Sequence, residues 1–114
     1  MMNIDILSLP GVAAIRENFI IQLEERLARF ETLCYVSMSD QDYAVALDEA
    51  CAILHNLSGT AGTLGFPELG DKARLCEAAI LSHQAGSGPS RQELLVSLAE
   101  FAEMADDLLE QHGR

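Results

Sequence analysis

Leu54-His55-Asn56-Leu57-Ser58-Gly59-Thr60-Ala61-Gly62-Thr63-Leu64-Gly65-Phe66 has the spacing of the second half of a helix, yet it carries three glycines and two threonines. An interior glycine costs a helix about 1 kcal/mol relative to alanine, so something other than helix stability favours them. At about 3.6 residues per turn, His55, Ser58, Gly59 and Gly62 share one face. The imidazole therefore stands beside nearly bare backbone, with no bulky neighbour one or two turns towards the C-terminus. Such a surface lets a partner approach a histidine closely. The stretch is also uncharged: no Asp, Glu, Lys or Arg occurs between Ala50 and Pro67, although the chain holds 18 acids and 7 bases.

Outward from this stretch the pattern is helical throughout. Pro10, Pro67 and Pro89 leave long uninterrupted segments between them, and no alternating β-branched run suggests a strand. Ser8 is a candidate N-cap for a first helix over about residues 10–36, with Val12, Ile15, Phe19, Leu23, Leu27, Phe30 and Cys34 as its apolar stripe. Ile20 and Ile21 widen that face, which predicts cover on more than one side. Ser39 and Asp42 form an S-x-x-D capping box for a second helix over 40–64. Its stripe of Tyr43, Leu47, Ala50, Leu54, Leu57, Ala61 and Leu64 alternates steps of four and three without a miss. His55 sits about 100° off that stripe, on the flank.

Gly65 ends the second helix and Pro67 fits the first turn of a third over 67–82. The third helix carries a seam of Leu69, Ala73, Cys76 and Ile80, with Leu75 and Ala79 alongside. Ser82 to Pro89 reads as a loop, and Ser90 with Glu93 caps a fourth helix over 91–110 bearing Leu94, Leu98, Phe101, Ala105 and Leu108. Four amphipathic helices with short connections predict an all-α, up-down four-helix bundle, with residues 1–114 as one domain.

Composition narrows the function. A net charge of −11 opposes nucleic acid and anionic membranes as partners. No apolar run is long enough to span a bilayer, and the N-terminus has no signal-peptide pattern, so a cytoplasmic protein is expected. Cys34, Cys51 and Cys76 are odd in number and far apart, which suits packing as small hydrophobes rather than a zinc or iron–sulfur site. Glu100, Glu103, Asp106, Asp107 and Glu110 read as the solvated face of the fourth helix, and no metal is expected.

The motif His55-x-Leu57-Ser58-Gly59-Thr60-Ala61-Gly62-x-Leu64-Gly65-Phe66 resembles the signature of histidine phosphotransfer (HPt) domains, most nearly the version at the start of CheA-type chemotaxis kinases. The resemblance is specific over residues 54–66 and looser over the next helix. It implies the HPt-type bundle and phosphorylation of His55. It gives Glu77 the task of hydrogen bonding the imidazole and makes Gly59, Gly62 and Phe66 a docking face. The family's lysine three residues after the histidine is Ser58 here, and Arg74 on the third helix is a replacement cation. Lys72 is a weaker candidate to lie beside His55. Ser58 is expected either to bond a phosphoryl oxygen or to bond back to the carbonyl of Leu54.

The implied function is that of a phosphocarrier in a two-component, phosphorelay or chemotaxis pathway. A histidine kinase catalytic domain in trans or in a longer parent chain, or a receiver, loads it, and a response-regulator receiver domain exchanges the phosphoryl group. The receiver supplies Mg²⁺; the chain has no cofactor or ATP site of its own, is not itself an enzyme, and is expected as a monomer. A non-phosphorylated helical adaptor of the same fold is the alternative. An enzyme using His55 as general base would need a concave polar pocket, for which the sequence offers no second cluster.

Overall fold

The computed structural model describes residues 10–35 and 39–112. They form four helices: α1 (Pro10–Tyr35), α2 (Asp40–Ala61), α3 (Pro67–Gln84) and α4 (Arg91–Gln111). The expected cap at Ser8 and the last residue of the expected first helix lie outside the described residues. Each helix packs on the two beside it in the ring α1–α2–α3–α4, most extensively α2 on α3, and the diagonal pairs stay apart. This is an all-α, up-down four-helix bundle.

The core is aliphatic. Leu23, Leu27, Phe30, Leu54, Leu57, Leu69, Ile80, Leu94, Phe101 and Leu109 are all at most 4% exposed. Phe30 and Phe101 meet edge to face across α1 and α4, 5.2 Å between centroids. Polar pairs join neighbouring helices at the surface: Arg29 forks onto Glu49 at 2.7 and 2.8 Å, Gln84 reaches Asp48 at 2.9 Å, and Lys72 reaches Glu100 at 3.3 Å. Exposed pairs of this kind add little stability, but they agree on one register.

Three expectations about the apolar stripes need correcting. Ile15, Ile21 and Leu75 are 57%, 59% and 67% exposed. A helix in a four-membered ring touches only two neighbours, so its outer half faces water; Leu75 and Ile21 fall there. Ile15 opens into a groove with Leu64, beyond the point where the regular part of α2 has ended.

That end is a second difference. Regular bonding in α2 stops at Ala61 rather than at residue 64, and residues 62–65 make a tighter turn. Gly65 N–H donates to the carbonyl of Gly62 at 3.2 Å and Phe66 N–H to that of Ala61 at 2.8 Å. This is the Schellman arrangement, with Gly65 at φ 95° in the left-handed position that glycine alone adopts freely. Pro67 then starts α3.

α3 runs two residues past its expected end because its last turn is held from outside. The Nδ1–H of His83 donates to the carbonyl of Pro89 at 2.8 Å, which leaves Nε2 to accept from the Tyr43 hydroxyl at 3.0 Å. Arg91 lies over the Tyr43 ring, 3.8 Å from its centroid. Ser39 and Ser90 cap α2 and α4, and at α4 the Ser90 backbone N–H donates in return to the Glu93 carboxylate.

The buried Cys76 and the half-buried Cys34 and Cys51 should make stability fall in alkali. Burial pushes the Cys34 thiol up to about 11 from its usual 9.0, and raises Cys76 and Cys51 in the same direction. The native state keeps these protons where the unfolded chain has begun to lose them. Their contribution is therefore complete below about pH 9 and fades as pH climbs through the raised values. Denaturant melts under reducing conditions should show the unfolding free energy dropping from about pH 9 to about pH 11. Cys34→Ala should flatten that drop; an identical slope in the variant would show that burial of this thiol does not set it.

Candidate functional site

Leu54 and Leu57 are buried to 0% and 1% exposure, and they clamp α2 so that the residue between them and the core flank turns outward. That residue is His55, whose side chain is 74% exposed. Its Nδ1 lies 2.8 Å from Oε2 of Glu77 on α3. An ionised carboxylate only accepts, so in the neutral ring Nδ1 carries the proton and Nε2 keeps its lone pair. Nε2 has no partner among the described residues. Glu77 is half-buried, its side chain 18% exposed. The arrangement is an orienting acid, a fixed tautomer and an open nucleophilic nitrogen.

The other predicted residues divide. Gly59 and Gly62 are exposed, and a Cβ built on either would meet nothing within 4 Å. Neither helix stability nor internal packing therefore calls for glycine there. Ser58 donates its hydroxyl to the carbonyl of His55 at 2.9 Å, not to that of Leu54 as expected. The bond reaches back three residues rather than four, which ties the side chain to its own helix beside the imidazole.

Arg74 pairs with Asp71 at 3.1 Å, both well exposed. It sits one turn before Glu77, on the same side of α3. Lys72 instead faces α4, where it holds Glu100, so it is not beside His55. Phe66 is 7% exposed and cannot form part of a docking face. As the residue after the Schellman glycine it folds back onto the bundle and stacks on Phe19 at 5.6 Å. His112 meets its edge and Arg16 covers its ring.

Two residues of the site escaped the sequence reading. Gly70 is buried in α3, and a Cβ there would stand 3.3 Å from the backbone nitrogen of Gly62 and 3.5 Å from the Ala61 methyl. It allows α3 to lie close on α2. Its signal was a glycine inside a helical seam, directly after Leu69. Asp71, which holds Arg74, had no signal beyond its i, i+3 spacing. Of the other histidines, His83 has both ring nitrogens engaged and His112 terminates α4 against Phe66. Among the described residues no three His, Cys, Asp or Glu side chains gather as they would around a metal ion. Among the described residues no helix is long and apolar enough to cross a membrane.

A family model described as the Hpt domain matches residues 14–111 of this sequence. The chain belongs to the Hpt family, whose members are phosphocarriers of two-component phosphorelays rather than catalytic enzymes. Neither curated proteins nor solved structures gave a match.

The open space over Gly59 has a measurable consequence. Gly59→Ala should raise the unfolding free energy by about 1 kcal/mol, the helix preference of alanine over glycine, because the new methyl displaces nothing. Chemical denaturation measures this directly, and a destabilised variant would mean that the glycine serves the fold after all.

Proposed function

We propose that His55 is the residue that carries the phosphoryl group. A histidine kinase catalytic domain acting in trans loads it, and it exchanges the group with the aspartate of a response-regulator receiver whose Mg²⁺ neutralises the phosphoryl oxygens. The observation that carries this is the 2.8 Å contact between His55 Nδ1 and Glu77 Oε2 beneath a largely exposed ring. Nε2 attacks phosphorus as the bond to the donor oxygen breaks. Positive charge then develops on the imidazole while Nδ1 retains its proton. The carboxylate of Glu77 lies 2.8 Å from Nδ1, where that charge appears, so it stabilises the transition state more than the resting state. Return transfer to an aspartate reverses these steps and restores the neutral ring. Phosphoryl transfer asks little more of the carrier than position and charge.

The uncharged surface around His55 suits such a partner. A protein of net charge −11 pressed against an acidic metal pocket would repel it, and the neutral band from Ala50 to Pro67 removes that repulsion at the point of contact. Gly59 and Gly62 leave room for the approach. This face, together with the partners it implies, fits a monomeric carrier working in the cytoplasm. The adaptor reading differs in one respect, the absence of phosphate on His55.

Three expected outcomes test the proposal. His55→Gln should abolish acid-labile labelling by a phosphodonor while leaving helical circular dichroism and melting nearly unchanged; labelling that persists would falsify the assignment. Glu77→Gln should slow loading on the order of 10-fold, since the amide can present either an acceptor or a donor to Nδ1 and no longer selects one tautomer. The third concerns cationic support. Ser58→Lys should shift the transfer equilibrium towards phospho-His55 by about fivefold at most, because solvent and salt weaken an exposed charge contact. Arg74→Ala should shift it the other way and be rescued by the added lysine. If neither change moves the equilibrium, the receiver's own charges set it.

A further inference from the structure

At the start of α2, away from His55, a cavity of about 250 Å³ opens between α1, α2 and α4. Its floor belongs to the core: Ala50, Leu94 and Leu98 line it and are at most 3% exposed. Leu95 stands at the mouth, 40% exposed. The space exists because α2 presents only methyl groups at Ala46 and Ala50, and because α1 on α2 is the least extensive of the four helix contacts. Such walls offer water few hydrogen-bond partners. An unfilled apolar hollow also forfeits dispersion contacts that an occupant restores.

The lining also carries a cation held in place. Arg91 lies over the Tyr43 ring, 3.8 Å from its centroid, and both residues line the cavity. Tyr43 is fixed in turn: its hydroxyl donates to His83 Nε2 at 3.0 Å, and His83 Nδ1–H donates to the carbonyl of Pro89 at 2.8 Å. A guanidinium resting on a ring keeps N–H groups along its edge, which can fork onto a carboxylate. Arg29, Lys72 and Arg74 each have such a carboxylate, and Arg91 has none among the described residues. It is moreover the first residue of α4, the end of a helix that disfavours a cation. An unmatched charge therefore borders an apolar space that reaches the core.

We propose that this cavity binds a small apolar monocarboxylate, its tail against Ala50, Leu94 and Leu98 and its carboxylate on Arg91. The unmatched guanidinium selects the charge of the head group, because an ammonium there would be repelled. The Tyr43 hydroxyl has given its proton to His83, so Arg91 supplies the polar contact. Volume sets the size: a cavity of this order holds roughly 10 non-hydrogen atoms, as in a saturated chain of about eight carbons ending in a carboxylate. A second copy of this chain fits less well, since two molecules of charge −11 repel. His55 does not line the cavity, and binding there needs no phosphate on it. The occupant would touch three helices at once, among them the one that bears His55.

The test uses the full chain with octanoate, and with octanol and octylammonium as probes of the same length but different charge. Binding is followed by nuclear magnetic resonance shifts of the Leu33, Leu94 and Leu98 methyls. Alkylation of Cys34, a half-buried thiol in the lining, gives a second readout; Cys51, equally half-buried but outside the cavity, is its internal control. Octanoate should shift the cavity methyls with a dissociation constant on the order of 0.1–1 mM, as befits so small a ligand. It should slow alkylation of Cys34 and leave that of Cys51 unchanged, and octylammonium should do neither. Arg91→Gln should weaken octanoate about 10-fold and leave octanol within about twofold. Ala50→Leu should fill the floor and abolish binding of both; Arg91→Gln, at an exposed position, decides the matter if Ala50→Leu fails to fold. The proposal is overturned if octanoate leaves the cavity methyls unmoved, if octylammonium binds as well, or if Arg91→Gln binds octanoate like the parent. Equal protection of Cys51 would also overturn it. So would cavity methyls in contact with Val36 or Met38 that octanoate does not displace, or a dimer in sedimentation whose formation shifts the same methyls.

Discussion

The close approach of α3 to α2 is the constraint on which the rest of the molecule depends. Gly70 brings the two backbones together at the level of Ser58, Ala61 and Gly62, and Ala61 and Ala73 are fully buried between the helices. Small residues at a helix contact remove the side chains that would otherwise hold the axes apart. The consequence appears two turns further along α3, where a glutamate of ordinary length reaches an imidazole on the neighbouring helix at 2.8 Å. The pair is thus a product of backbone spacing, set by residues that touch neither ring nor carboxylate.

The turn between the two helices works to the same end. Gly65 in the left-handed region reverses the chain in four residues, and Phe66 is drawn back into the core against Phe19. An aromatic at this point anchors the start of α3 and fixes the phase in which Glu77 emerges. The opposite end of α3 is secured by His83, which bridges Tyr43 and the carbonyl of Pro89. Both ends being tied, the α2–α3 pair can carry an exposed, flexible-looking strip of glycines without losing its geometry. The cost of Gly59 to the helix is borne by tertiary packing.

Much of this was legible in the chain, for identifiable reasons. The α2 stripe from Tyr43 to Leu64 repeats with the period of a helix and buries one face, so its register followed from spacing alone. Ser39 and Ser90 announced helix starts because a hydroxyl there satisfies otherwise unpaired N–H groups. Ile15, Ile21 and Leu75 misled because periodicity marks apolar positions without saying how many neighbours a helix will have. Phe66 misled for a related reason: adjacency to a functional motif in sequence says nothing about which way a turn folds its next side chain.

Helix number and phase, the uncharged band, and the outward placement of His55 were determined by the sequence itself, since each depends on local spacing and the chain's own hydrogen-bonding rules. Only the tertiary structure decided which groups meet. Whether Glu77, Arg74 or Lys72 faces His55 turns on the distance and rotation between helices. Those follow from packing at Gly70, Ala73 and Phe66, contacts between residues remote in sequence that no local pattern encodes.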